Sequence, residues 1–286
     1  MPYDPVFIKD ILVPLPTLSD KVISAAFDQG APIEHSRFSV VLHQDRGFAI
    51  YAAHNIDGNS IIPEGVIRRR NNFRLDPEVP NELQVDNKRG YRNNPWDRGH
   101  LVRRRAMHWG DRDLAELSDS ESFYWTNIAP QHHQLHHSAW GKIENWMFDV
   151  SDDEDRRACI FTGPVFSTED PEHLNDQDEK PIRIPAGFWK IFAIKHRAKL
   201  RAAAFLVWQR DFDRSEPVSF DPILEQVRIT TLEYLTGLAF PALREADPLR
   251  FKAPLSVVSR AAATQPEAAV SVRNKNGIIQ PTDIVI

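Results

Sequence analysis

Apolar positions in this chain gather in short runs more often than in long ones. Arg37 to Leu42 and Phe48 to Ala53 are two such runs, separated by Gln44-Asp45-Arg46-Gly47, a spacing that predicts a β-hairpin. Phe123 to Asn127, Ala158 to Thr162, Phe188 to Ile194 and Leu200 to Val207 are further predicted strands, the last two again as a hairpin. Leu135 to Val150 and Asp221 to Phe240 are long enough, and suitably patterned, to predict helices. Near the start, Thr17-Leu18-Ser19-Asp20 has the composition of a helix N-cap, and Gly30 stands where a glycine would end that helix. Strands in hairpins with intervening helices imply an α+β fold, its central sheet mostly antiparallel and flanked by helices.

Beyond about Asp247 the pattern decays. Ser256 to Val272 is rich in Ala, Ser and Gln and reads as a linker or loosely packed arm, while Ile284-Val285-Ile286 is apolar enough to dock. The expected organisation is a helical extension over residues 1–34, one domain over 35–245 and an arm over 246–286.

Composition narrows the class. With 286 residues and 42% hydrophobic content, the chain can bury a sizeable core. Cys159 is its single cysteine, so no intrachain disulfide forms and a reducing compartment is tolerated. No run approaches the ~20 apolar residues that span a bilayer, and the start lacks a basic segment followed by an apolar one. The expectation is a cytoplasmic protein without membrane association; export with a leader removed is the alternative. Glycine-rich phosphate-binding motifs are absent. A net charge of −5 argues against coating nucleic acid by bulk electrostatics. Basic residues nevertheless cluster at Arg68-Arg69-Arg70 with Arg74, and at Arg98 with Arg103-Arg104-Arg105, as a polyanionic substrate requires. The Arg103 to Arg105 run reads equally well as solvated surface, and the acidic stretch from Asp149 to Asp155 as a solvated face.

Two segments carry candidate chemistry. Asn127 to Glu144 contains four of the eleven histidines. In a helix starting near Leu135, His136, Trp140 and Glu144 share one face at i, i+4 and i+8. An imidazole with a carboxylate on one face is half of a metal site. An amphipathic helix burying Trp140, Ile143 and Met147, with histidines at its rim, accounts for the same spacing. The second segment is Asp97-Arg98-Gly99-His100. Its glycine permits a tight backbone path, its imidazole can take a proton from water near neutral pH, and its guanidinium can grip a phosphate bidentately.

Taken together with Phe123 to Gln131 and the Trp140/Glu144 spacing, Asp97 to His100 resembles the ββα-metal (His-Me finger) non-specific DNA/RNA endonuclease family, of the endonuclease G type. Ile160 to Val165, Pro185 to Lys190 and Leu232 to Phe240 extend the resemblance to about residues 35–245. It implies a metal-dependent nuclease in which His100 is the general base, Arg98 contacts the scissile phosphate and Glu144 orients a metal-bound water. Asn127 would be a structural or substrate-proximal polar residue. One divalent ion, Mn²⁺ or Mg²⁺, would assist, and products would carry 5′-phosphates. Where the family usually has a metal-ligating asparagine this chain has His136, a softer ligand that favours Mn²⁺ and would lose the ion as it protonates below roughly pH 6.5. Phe148 stands where some members carry an arginine, which shifts phosphate contacts to Arg69 or Arg70, with Arg103 a further substrate-binding candidate. The implied partners are DNA and/or RNA, with a regulatory or inhibitory protein and a homodimer as further candidates. The rival readings are a pseudo-nuclease serving as a nucleic-acid-binding or scaffold protein, and a zinc module on His132, His133, His136 and His137.

Overall fold

The structure, a computed structural model, describes residues 1–92, 96–132, 135, 143, 157–174, 180–209, 224–251, 271–272 and 284–285. Its strands are β1 (Thr17–Leu18), β2 (Ile33–Glu34), β3 (Phe38–Leu42), β4 (Ala49–Asp57), β5 (Trp96–His100), β6 (Ile128–His132), β7 (Arg157–Val165), β8 (Glu172–His173), β9 (Ile182–Arg183), β10 (Gly187–His196), β11 (Lys199–Trp208), β12 (Leu224–Val227), β13 (Leu238–Ala239) and β14 (Ser271–Val272). Its described helices are α1 (Asp20–Ala25), α2 (Arg112–Glu121), α3 (Ile229–Thr236) and α4 (Pro241–Ala246).

Eight strands form one antiparallel sheet in the order β14-β12-β11-β10-β7-β4-β3-β2, so the fold is α+β with an antiparallel sheet, as expected. Its central strands read as unbroken apolar runs because both faces are covered. On β10, Phe188 and Phe192 enter the front core with Phe38, Ala52, Ile160 and Phe205. Their neighbours Trp189 and Ile191 enter the back core with Tyr51, Phe161, Ala204 and Leu206. A period of two thus serves two cores at once. Each large side chain fully buried this way contributes about 1.5–3 kcal/mol.

The back core is closed by the ends of the family of elements. Tyr3, Ile8 and Val13 pack there with Ile229, Leu232, Phe240 and Leu243. Tyr3 Oη donates to the Val13 carbonyl at 2.7 Å, and Asn55 on β4 exchanges hydrogen bonds with the backbone of Asp4 at 2.7 and 3.2 Å. Within residues 1–34, α-helix occupies only α1, which Ser19 precedes as N-cap; Gly30 closes the following turn at φ +85°.

Two predicted elements differ in kind. Phe123 to Asn127, predicted as strand, ends in a 3-10 turn over Trp125–Asn127, and the strand begins one residue later as β6. Asp221 to Phe240, predicted as one helix, is divided among β12, α3 and β13. β12 supplies the hydrogen bonds that β11 would otherwise lack on that side, and Gly237 ends α3 in the left-handed conformation at φ +69°. Of the predicted helix over Leu135 to Val150, the described positions Leu135 and Ile143 are helical and buried in the front core; the others lie outside the described residues.

β5 and β6 form a separate two-stranded antiparallel sheet in front of the main one. Gln209, just past β11, clamps it there. Its Nε2 donates to the carbonyls of Pro130 (3.1 Å) and Pro185 (2.8 Å), and its Oε1 accepts from the His132 amide at 3.1 Å. At the far sheet edge, β14 pairs with β12, and the Gln226 side chain pairs with the Val285 backbone at 2.6 and 2.9 Å.

Candidate active site

Asp97-Arg98-Gly99-His100 is β5 itself, paired with β6 so that Asp97 faces Gln131, Gly99 faces Ala129 and His100 faces Ile128. Residues two apart on a strand project to the same side, which puts Arg98 and His100 together. Gly99 leaves room for a neighbour that the sequence does not reveal. A Cβ at this position would lie 2.1 Å from Gln131 Cδ and 2.2 Å from its Oε1, because the Gln131 side chain crosses the glycine.

Phe73 is the residue that the sequence analysis missed. The Arg98 guanidinium carbon lies 5.0 Å from its ring centroid, and the His100 ring lies 5.6 Å from it at a tilt of 55°. Phe123 meets His100 edge-on at 4.9 Å. Arg98 is exposed and His100 half-buried, so both reach solvent from an aromatic floor.

The loop after His100 is held by Asn127. Val102 N donates to Asn127 Oδ1 at 2.9 Å, while Asn127 Nδ2 donates to the carbonyls of Val102 (3.0 Å) and Ser122 (2.9 Å). Asn127 is fully buried, with both its amide hydrogens and its amide oxygen engaged by this loop. Next to it, Thr126 Oγ1 donates to Asp76 Oδ2 at 2.6 Å, and His35 Nε2 lies 3.2 Å from the same oxygen. Burial alone would raise the Asp76 carboxyl, but the contacts from His35 and Thr126 hold it below its ordinary value.

The basic clusters separate. Arg104 Nε donates to Asp119 Oδ1 at 2.9 Å, beside the 2.6 Å contact of His108 Nε2 with that oxygen, and Arg105 donates to the Ile62 carbonyl at 2.6 Å. These two are structural ties. Arg103 is half-buried ahead of them. Arg69 and Arg70 are exposed, with Arg69 Nε donating to Asn71 Oδ1 at 2.7 Å. Arg74 is tied down by a 2.7 Å bond to the Ser120 carbonyl and lies over the Tyr124 ring at 4.2 Å. His136 and Glu144 lie outside the described residues. A cavity of about 680 Å³ opens elsewhere, lined among others by Lys21, His43, Arg46, Phe166 and Tyr234; none of the predicted site residues lines it.

Comparison with known proteins agrees with this geometry. The profile of the family described as DNA/RNA non-specific endonuclease matches residues 19–246. The chain belongs to that family. Protein y4fB of Sinorhizobium fredii is 33% identical over 231 residues, covering 74% of this chain and 33% of that protein. The mitochondrial nuclease EXOG of Danio rerio is 27% identical over 192 residues, covering 62% of this chain and 52% of that protein. The chain thus spans about a third to a half of the length of these relatives. Among solved structures, a complex of EndoG with EndoGI, concerned with EndoG inhibition, has the same fold at a TM-score of 0.57 and 20% identity, covering 73% of this chain and 84% of that one.

Proposed function

We propose that the chain hydrolyses phosphodiester bonds of DNA, RNA or both, without strong sequence preference, leaving 5′-phosphates. The observation that supports this is the meeting of Arg98 and His100 on one aromatic ring, on a two-stranded sheet, in a member of this family. In this reading the catalytic domain spans residues 35–245, preceded by the 1–34 segment and followed by the 246–286 arm.

His100 takes the proton from the attacking water as general base. Arg98 presents its N–H fork to the phosphate and stabilises the charge that grows there. Arg69, Arg70 and Arg103 contact the backbone phosphates along the strand, which needs no base-reading element.

The family implies one divalent ion. Among the described residues no group of three or more His, Cys, Asp or Glu side chains gathers as a metal site. Gln131 bears on the fit. Its carboxamide is 1% exposed, lies against Gly99, and has neither its oxygen nor its nitrogen hydrogen-bonded among the described residues. An amide oxygen is a hard donor suited to Mg²⁺ or Mn²⁺ or to their water. His136 would hold the ion and Glu144 would orient its water. When bound, the ion neutralises the phosphate and stabilises the leaving 3′-oxygen. Because an imidazole ligand is softer than an amide oxygen, Mn²⁺ supports more activity than Mg²⁺ in this reading. Equal rates with the two ions would remove that preference.

The deciding experiment is plasmid cleavage with and without chelator, by wild type and by His100→Ala. The expected result is metal-dependent cutting by wild type and a loss of roughly 100-fold or more in the variant. Full activity in His100→Ala refutes the base assignment. An inhibitory protein partner is a further part of the proposal, suggested by the subject of the EndoG/EndoGI structure. No helix among the described residues is long and apolar enough to cross a membrane.

A further inference from the structure

Phe73 touches more of the candidate machinery than any single contact requires. Beyond Arg98 and His100, its ring stacks on Trp125 at 5.2 Å and 25°, and meets Phe123 edge-on at 5.0 Å. Trp125 in turn stacks on Tyr91 at 5.4 Å and 17°, so three rings form a continuous column below the strand. The backbone beside Phe73 is fixed independently. Arg74 N donates to the Phe123 carbonyl at 3.2 Å, and Trp125 N donates to the Arg74 carbonyl at 3.0 Å. Phe73 is thereby anchored next to the Phe123–Trp125 segment, and Arg68 to Arg70 end only three residues before it.

A guanidinium drawn to an aromatic ring by the ring's negative face keeps its N–H donors for other partners. The same ring limits where the His100 imidazole can turn. We propose that Phe73 is a positioning residue that aligns Arg98 and His100 on one phosphate, a role that rests on the nuclease reading given above. An aliphatic side chain of similar volume would keep the packing but lose the charge attraction and the flat contact surface. Displacing a reacting group by about 1 Å costs up to about a hundredfold in rate, which sets the scale of the expected defect.

The test uses the full chain with Phe73→Leu and Phe73→Trp, measuring kcat and KM on DNA, thermal melting, and the NMR resonances of the His100 ring. Phe73→Leu should lower kcat about 10- to 100-fold with KM within about threefold of wild type, because alignment and not affinity is lost. Its melting point should stay within a few degrees, and the His100 resonances should move as the ring current of Phe73 beneath them disappears. Phe73→Trp should recover most of the turnover. The proposal is overturned if Phe73→Leu keeps its kcat, if the loss falls on KM, if the Leu and Trp variants fall equally, or if the His100 resonances stay in place. Absence of cleavage by wild type is a separate failure: it removes the nuclease reading, and with it the role given to Phe73, whatever the resonances do.

Discussion

In the run Arg103-Arg104-Arg105, Arg104 is bonded to Asp119 and Arg105 to the Ile62 carbonyl, and the two tie the turn after β5 to α2 and to the segment near Ile62. In the run Arg68-Arg69-Arg70 all three side chains are exposed, and the described tie is the short bond from Arg69 to Asn71. The two runs have the same composition and flank the same candidate site. What separates them is the supply of acceptors. A guanidinium carries five donors, and a turn rich in unpaired carbonyls, or a buried carboxylate such as Asp119, takes them up. An arginine that is to bind phosphate must keep its fork free of such partners. Arg98 is a third case, since it contacts Phe73 through its face and remains exposed.

The largest test of this division is Arg98→Ala. Losing a donor aimed at developing charge should lower kcat/KM by roughly 100- to 1000-fold, and melting should barely change because the side chain is exposed. A loss under about tenfold by the same kinetics would put phosphate stabilisation elsewhere. Arg104→Ala should show the reverse. Urea unfolding should register about 1–3 kcal/mol of destabilisation, since the carboxylate of Asp119 is buried, with turnover per folded molecule near that of wild type. If turnover falls and stability does not, Arg104 belongs with the catalytic arginines.

Smaller effects are expected at the exposed run. Arg69→Ala and Arg70→Ala should each weaken DNA binding by a few-fold and reduce the slope of log affinity against log salt by about one, without a shift in melting. An unchanged slope would make them surface residues. The smallest effect near neutral pH concerns Lys190, a buried cation on β10, and its neighbour His54. Burial first, and the charge of Lys190 second, push His54 from 6.5 down to about 3. The unfolded chain therefore binds a proton that the native state refuses, and stability falls as pH drops from about 6.5 toward 3. Replacement by His54→Gln should flatten unfolding free energy against pH in that window. An identical pH dependence in the variant would show that His54 is not the group responsible.

Both long hairpins were legible in the sequence because a strand covered on two faces has no choice but to be apolar throughout, and β3–β4 and β10–β11 are built that way. The 221–240 stretch was not legible as strand plus helix. Its N-terminal part has a helical pattern, yet β11 offers an open edge beside it, and cross-strand hydrogen bonds override a weak local preference. Asn127 was singled out, but its role was left open. The carbonyl and amide of Val102 that it bonds lie 25 residues earlier in the chain.

The sequence by itself determined the class of fold and the family, and it singled out the Asp97–His100 tetrapeptide as the candidate site, because alternation, turn residues and short motifs are local properties of a chain. Tertiary structure alone decided that Phe73 lies under Arg98 and His100, that the Gln131 side chain crosses Gly99, and that Arg104 and Arg105 are tied down while Arg68 to Arg70 stay open to solvent. Each of these depends on which atoms from distant segments meet. No local preference encodes such a meeting.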